Sequence, residues 1–270
     1  MKQESRLAVC RTVGLLAFCA IWATPMIYIV FIAFHNAVAQ GGVFVAFTFR
    51  NFAQVFADAE FLGALLNSLI IGILSTIVIV VIATPAAYIC AVKEFRGRQQ
   101  IESWILSTRM LPPFVVVLPY FLLFRKIGLQ DTILGLVIMH VIVSLALAFF
   151  MLRSFFAELP RDILEAALME GAGEFLTLSR VALPQVRSGL AATAILVFIF
   201  SWNELAFAFT LAGGAVKTGP VAIFSFMGFQ NVQIGPLMAA ATLLVLPIAI
   251  LLIISQKSLV RGLSFGAIKA

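Results

Sequence analysis

Few residues in this 270-residue chain could make or break covalent bonds. His35 and His140 stand on different segments, no H-E-x-x-H pair occurs, and Cys10, Cys19 and Cys90 have neither disulfide nor metal-ligand spacing. Gly213-Gly214-Ala215-Val216-Lys217-Thr218 has the residue types of a phosphate loop but not its G-x-x-x-x-G-K-[ST] spacing. The enzyme class is set aside on this basis, with no catalytic residue and no metal site expected. The chemistry that remains is noncovalent. Trp202-Asn203-Glu204 places a donor, an acceptor and an aromatic face together, as a hydroxylated ligand needs, although a hydrogen bond to a neighbouring helix would use the same groups. Glu165 to Pro184 forms a charged island, centred on glycine, between two long apolar stretches. An exposed amphipathic segment of that kind suits docking against a soluble partner; an interfacial helix lying flat on lipid is the simpler alternative.

The elements that must position these residues follow from composition. Hydrophobic residues make up 63% of the chain, above the roughly 50% of a soluble domain, so it reads as an integral membrane protein. A helix needs about 20 apolar residues to cross the hydrocarbon core, and gaps between charges predict an all-α fold of six spans. These fall at about 13–34, 65–91, 103–124, 132–152, 188–210 and 236–255 of a single membrane domain. The third must begin near Ser103 and carries Arg109 into the membrane; the fifth must run past Glu204. Pro112 and Pro113, with Pro119, should break or kink the third span, and Pro25, Pro85 and Pro247 fall within others. His35 to Glu60, rich in phenylalanine, is expected to be an amphipathic outer segment.

Lys and Arg concentrate before the first span, in the second and fourth connections and after the sixth span, which places both termini in the cytoplasm. That asymmetry accounts for the net charge of +6 without a nucleic-acid partner. A cleavable signal peptide ending at Ala37-Val38-Ala39 is the rival reading of the N-terminus. Its apolar run is longer than a signal core of about 7–15 residues, and its removal would upset the charge asymmetry.

The island occupies the fourth connection, 153–187. Pro160 and Asp162 suit a helix start, Gly171 can take the left-handed geometry that ends it, and Phe175, Leu178 and Ala182 recur at helical spacing up to Pro184. The small residues Ala166, Ala167, Gly171 and Ala172 would let another surface approach closely.

Glu165-Ala166-Ala167, Gly171-Ala172 and Leu183-Pro184 stand at the spacing of the EAA loop in permease subunits of binding-protein-dependent ABC importers. Asn67-Ser68-Leu69, Arg109-Met110-Leu111-Pro112-Pro113, Trp202-Asn203-Glu204 and the ending from Val260 to Lys269 extend the resemblance, which is to the MalG-type branch. Ala270, where relatives often have glycine, is a minor departure. The resemblance implies a permease subunit for a sugar, sugar alcohol or related polyhydroxylated solute in a bacterial or archaeal inner membrane. Its implied partners are a homologous second permease, two ATPase subunits, an extracytoplasmic solute-binding protein and membrane lipid. ATP and magnesium would bind the ATPase subunits, leaving this chain without a cofactor.

The same resemblance makes Glu165, Ala166, Ala167, Gly171, Ala172, Leu183 and Pro184 the ATPase-coupling segment. It makes Arg261, Gly262 and Gly266, in the tail 256–270, candidates for contact between the ATPase subunits. Trp202, Asn203 and Glu204 are the candidate solute pathway, while Arg109, Pro112 and Pro113 are read as intramembrane structural residues, with Arg109 too far from Glu204 to pair with it. A secondary transporter or channel subunit is the competing class. It would explain buried charges and six spans but not the cytoplasmic island.

Overall fold

Backbone groups in hydrocarbon must find partners within the chain, and helices that satisfy this dominate the computed structural model, which describes residues 2–37, 44–110, 112–228 and 232–264. Helix α1 (Lys2–Ala33) leads into a two-stranded antiparallel ribbon, β1 (His35–Ala37) and β2 (Phe44–Phe47), followed by α2 (Arg50–Ala57) and α3 (Ala59–Val92). Next come α4 (Arg98–Met110), α5 (Pro113–Lys126) and α6 (Ile133–Ala157). The island comprises α7 (Arg161–Met169), α8 (Glu174–Leu176), a π-helical segment over Thr177–Ala182 and α9 (Leu183–Gln185). The chain continues through α10 (Arg187–Trp202), α11 (Ala206–Leu211), α12 (Gly219–Ala222), a 3₁₀ turn over Ile223–Phe226, and α13 (Ile234–Ser264).

Among the described residues, four apolar helical stretches are long enough to cross a membrane: Arg11–Ala33, Ala59–Val92, Ile133–Ala157 and Ile234–Gln256. They coincide with the first, second, fourth and sixth predicted spans. The third is not one straight helix, because α4 and α5 meet at 94°. Pro112 is the extended N-cap of α5 and Pro113 its first residue, so the proline pair breaks the helix where it was expected to. The predicted fifth span, 188–210, is also divided. Helix α10 stops at Trp202, and α11 begins afresh at Ala206. Ahead of α10, the segment Glu174–Gln185 lies at 83° to it.

The ribbon is a small departure from the all-α expectation. It arises where the β-prone run Phe44-Val45-Ala46-Phe47 pairs with His35–Ala37. Within the predicted tail, α13 runs on through Ser264, so Arg261 and Gly262 lie on helical backbone; Gly266 is outside the described residues.

Contacts divide the chain into two units, residues 1–62 with 222–246, and residues 63–221 with 247–270. In the first, buried Asn51 donates its side-chain amide to the carbonyls of Ala33 and His35, at 2.9 and 3.1 Å, tying α2 to the end of α1 and the ribbon. Phe34 gathers Phe47, Phe49 and Phe52 around it, and Phe61 meets Phe226 edge to face. The expected amphipathic segment is α2, on which Asn51 and Val55 are buried and Phe56 is exposed.

Among the described residues, the second unit holds two cores. One joins Ile79, Ala83 and Tyr88 of α3 to Phe149, Leu152 and Phe156 of α6, with Leu164, Leu178, Ala182 and Val186 from and beside the island. The other joins Ile71, Phe124, Leu136, Met139, Phe207 and Leu211. Helix α6 packs most extensively against α10, where a side chain at Gly189 would fall onto the ring of Phe155. Gly189→Ala is therefore expected to destabilise the protein by about 1–3 kcal/mol through overpacking. Thermal unfolding of the detergent-solubilised protein checks this, with part of the loss recovered when Phe155→Leu is added.

Candidate functional site

Local sequence gives the island its shape. Pro160 takes the N-cap position of α7, with Asp162 in the positively polarised first turn. At the other end Gly171 has φ +84°, its N–H reaches the Leu168 carbonyl, and the N–H of Ala172 reaches back to Ala167, both at 3.0 Å. This is a Schellman closure, in which a left-handed residue satisfies carbonyls that the helix end would otherwise leave open. The π-helical turn over Thr177–Ala182 then carries the chain into α9 and α10.

Packing holds one side of the island and leaves the other open. On α7 only Leu164 is buried, at 4% exposure. Leu178 and Ala182 join it in the core shared with α3 and α6. Phe175, expected on the same face, is instead 82% exposed. The π-helical turn that begins at Thr177, with i→i+5 bonds and more residues per turn, breaks the 3.6-residue spacing on which that expectation rests. Lys93, just beyond α3, lies 2.5 Å from Glu174, and the hydrogen bond to that carboxylate holds its ammonium above the usual lysine range. Glu102 of α4 accepts from both Arg98, at 3.0 Å, and Arg153 of α6, at 2.8 Å, joining those helices.

The opposite side of the island presents Glu165, Ala166 and Gly171, all exposed, with Ala167 and Ala172 half-buried. Met169, 89% exposed, and Phe175 flank the turn. Of the other two motif residues, Leu183 is half-buried and Pro184 exposed. A side chain added at Gly171 would meet nothing within 4 Å, so within this chain its strain would come from the backbone alone.

The three candidate pathway residues separate. Trp202 is buried and stacks on Phe198, with ring centroids 5.8 Å apart. Asn203 is exposed, its side-chain amide donating to the Ile199 carbonyl at 2.8 Å. Glu204 turns back over α11: its two oxygens accept the N–H groups of Phe207 and Ala208, each at 2.9 Å. This caps a helix start, and the carboxylate cannot do so while continuing α10.

Behind Glu204 lies a polar cluster that spans three helices. His140 Nδ1 is 2.5 Å from Ser201 Oγ, and Ser201 Oγ is 3.1 Å from Ser75 Oγ, whose hydroxyl also donates to the Ile71 carbonyl. His140 Nε2 faces Glu204 at 3.6 Å, beyond hydrogen-bond reach. In the sequence His140 stands out only as one of two histidines, and Ser75 and Ser201 not at all, since isolated serines in apolar helices carry no periodic signal. Arg109 is not a partner of Glu204. Its guanidinium carbon lies 6.0 Å from the Phe200 ring centroid, within cation–π range. Arg109 and Pro113 also line a cavity of about 210 Å³ with Tyr120, Met139 and Phe207, residues the sequence did not single out.

A second polar site lies between α5 and α6. Asp131, left-handed at φ 56°, accepts the N–H groups of Gly213, Ala215 and Val216, each at 2.9 Å. Burial pushes its carboxyl upward, but the backbone donors from Ala215, Val216, Gly213 and Gly214 outweigh that effect and hold it below the ordinary aspartate range. The Gly-Gly segment set aside as a phosphate loop is thus a nest for an internal carboxylate.

Residues 83–265 match the family described as binding-protein-dependent transport system inner membrane component. The chain is 39% identical over 225 residues to the trehalose transport system permease protein SugB of Mycobacterium tuberculosis, a match covering 82% of each. It is 33% identical over 277 residues to the trehalose/maltose transport system permease protein MalG of Thermococcus litoralis, covering 100% of this chain and 99% of the relative. A chain from the crystal structure of a bacterial ABC transporter involved in import of the acidic polysaccharide alginate shares the fold, with a TM-score of 0.81 at 24% identity, over 95% of this chain and 98% of that one.

The Glu204 cap yields a stability test. Glu204→Ala leaves two amides at the start of α11 without acceptors, at about 1–3 kcal/mol each, whereas Glu204→Gln keeps one acceptor oxygen. The alanine variant is expected to unfold at a lower temperature than the glutamine variant, and both below wild type, in thermal denaturation of the solubilised protein.

Proposed function

This chain belongs to the family of binding-protein-dependent transport system inner membrane components, and from that premise we propose that it forms half of the translocation pathway of an ABC importer for a sugar, sugar alcohol or related polyhydroxylated solute, and couples to ATPase subunits through the island. The observation that carries this reading is the division of the island, with Leu164 of α7 sunk in the helical core while Glu165, Ala166 and the Gly171 turn face outward. Small residues let a cleft close around the segment, and Glu165 supplies a polar contact to its wall. The solute class rests on the relatives named for trehalose and maltose transport.

In this account ATP and magnesium bind two partner ATPase subunits, and their closure drives α7. The push passes through Leu164, Leu178 and Ala182 to α3 and α6, and through Lys93–Glu174 to the end of α3. The attached spans then rock between inward-open and outward-open states. A homologous second permease completes the pathway, and a solute-binding protein delivers cargo from the side opposite the Arg- and Lys-rich connections. Arg261, Gly262 and Gly266 belong to the tail assigned to the ATPase interface. Exposed Asn203 is the pathway contact from the Trp202-Asn203-Glu204 group, while Glu204 holds α11 in place. An ATP-independent transporter would leave the open face of α7, Met169 and Phe175 without a role.

Substitution at Gly171 tests the coupling role, since asparagine tolerates the left-handed backbone and valine does not. In the complete transporter, purified with its ATPase subunits and supplied with liganded binding protein, Gly171→Val is expected to abolish solute uptake while the subunit still inserts in the membrane. Gly171→Asn, which keeps the turn but adds bulk to the docking face, is expected to lower uptake severalfold. Wild-type uptake by both variants, or failure of any ATPase subunit to copurify with wild type, would refute the reading.

A further inference from the structure

The Asp131 nest is not isolated. The loop that wraps the carboxylate, 212–219, is fixed again at its far end by two residues of α3. Asn67 donates its side-chain amide to the Lys217 carbonyl at 3.0 Å, and Ser68, 4% exposed, accepts the Gly219 N–H at 2.8 Å. Thr218 between them is buried. At the near end the Asp131 N–H donates to the Leu211 carbonyl at 3.0 Å, so the turn before α6 also closes the C-terminus of α11. Three side chains from two separate parts of the chain therefore hold eight consecutive residues, and the approach is tight: a Cβ on Gly213 would lie 3.1 Å from the Asp131 carboxylate.

Such a loop would ordinarily be loose, with two consecutive glycines and no regular structure between α11 and α12. A charged acceptor with three amide donors makes strong hydrogen bonds. Because the carboxyl is held below its ordinary range, the contribution is present above that range and is lost only as pH falls through the lowered value, so the clamp stays ionised at neutral pH. Glu204 caps the other end of α11, leaving that short helix restrained at both termini. A displacement of the 212–219 loop is thus carried into α11, whose Phe207 lines the cavity shared with Arg109 and Tyr120.

We infer that Asp131, with Asn67 and Ser68, is a positioning group for transport, presetting the 212–219 loop as a rigid plate through which arrival of the solute-binding protein is registered at α11. This rests on the importer reading and on the orientation that puts the loop opposite the Arg- and Lys-rich connections. The clamp acts through shape: it touches neither solute nor ATP. Releasing it leaves the loop to be ordered at the moment of docking, which weakens docking while leaving the ATPase machinery intact.

The experiment uses the complete transporter in proteoliposomes, with ATP hydrolysis followed as liganded binding protein is titrated. Asp131→Asn replaces one acceptor oxygen with a donor aimed at amide N–H groups, and Asn67→Ala and Ser68→Ala each remove one tie. Asp131→Asn is expected to raise the half-saturating concentration of binding protein about tenfold, corresponding to about 1.4 kcal/mol. Unstimulated hydrolysis and the maximal rate should stay within about twofold of wild type. Asn67→Ala and Ser68→Ala should shift half-saturation in the same direction by less, and Asp131→Glu, which keeps the charge, should recover part of the loss. Half-saturation at the wild-type value, or a fall in maximal rate alone, would overturn the inference. If Asp131→Asn fails to assemble, the Asn67 and Ser68 variants decide by the same criterion. A wild-type transporter indifferent to binding protein would refute the importer reading instead.

Discussion

The proposed coupling depends on how a polar, exposed segment is fastened to apolar helices. Leu164, Leu178 and Ala182 do this by entering the core formed by Tyr88, Leu152 and Phe156. Burying one leucine contributes about 1.5–3 kcal/mol, more than an exposed ion pair such as Arg161–Glu94 at 3.9 Å. The anchor is also short-range and close-packed, so in the proposed account a displacement of α7 passes to α3 and α6 without first stretching flexible side chains. Gly171 serves the same end by finishing α7 in a turn whose carbonyls are satisfied, which lets the island fold back onto its anchor within a few residues.

The membrane interior imposes a second constraint, and the chain meets it by giving its polar groups local work. Glu204 caps α11, Ser75 back-bonds to Ile71, and Ser201 joins His140 to Ser75. Interruptions at Pro112 and at 203–205 free backbone groups that a continuous helix would have paired, and such breaks are tolerated where protein surrounds them or a cavity adjoins. The cavity lined by Arg109, Pro113, Tyr120 and Phe207 flanks the first interruption and takes one wall residue from α11, the helix after the second.

Features encoded over a few neighbouring residues were legible in the sequence. Charge gaps located α1, α3, α6 and α13, Pro112-Pro113 marked a break, and Gly171 marked the end of α7. Features made by distant residues were not. Asp131 meets its partners more than 80 positions away, and His140 meets Ser201 across 61, so neither leaves a periodic trace. Phe175 misled because a 3.6-residue period was carried through a π-helical segment, and the cap that Glu204 places on α11 was not legible because it forms only where α10 breaks. The EAA spacing was legible because it is local, and it led to the region in which the family match falls.

The most direct test of the anchored-lever account is the number of solute molecules imported per ATP hydrolysed by a Leu164→Ala transporter in proteoliposomes. Leu164 touches the helical core and not the exposed docking face, so the account predicts an assembled complex that still hydrolyses ATP but imports several-fold less solute per ATP. An unchanged ratio in an assembled complex would contradict it, because motion would then reach the spans without passing through the anchor.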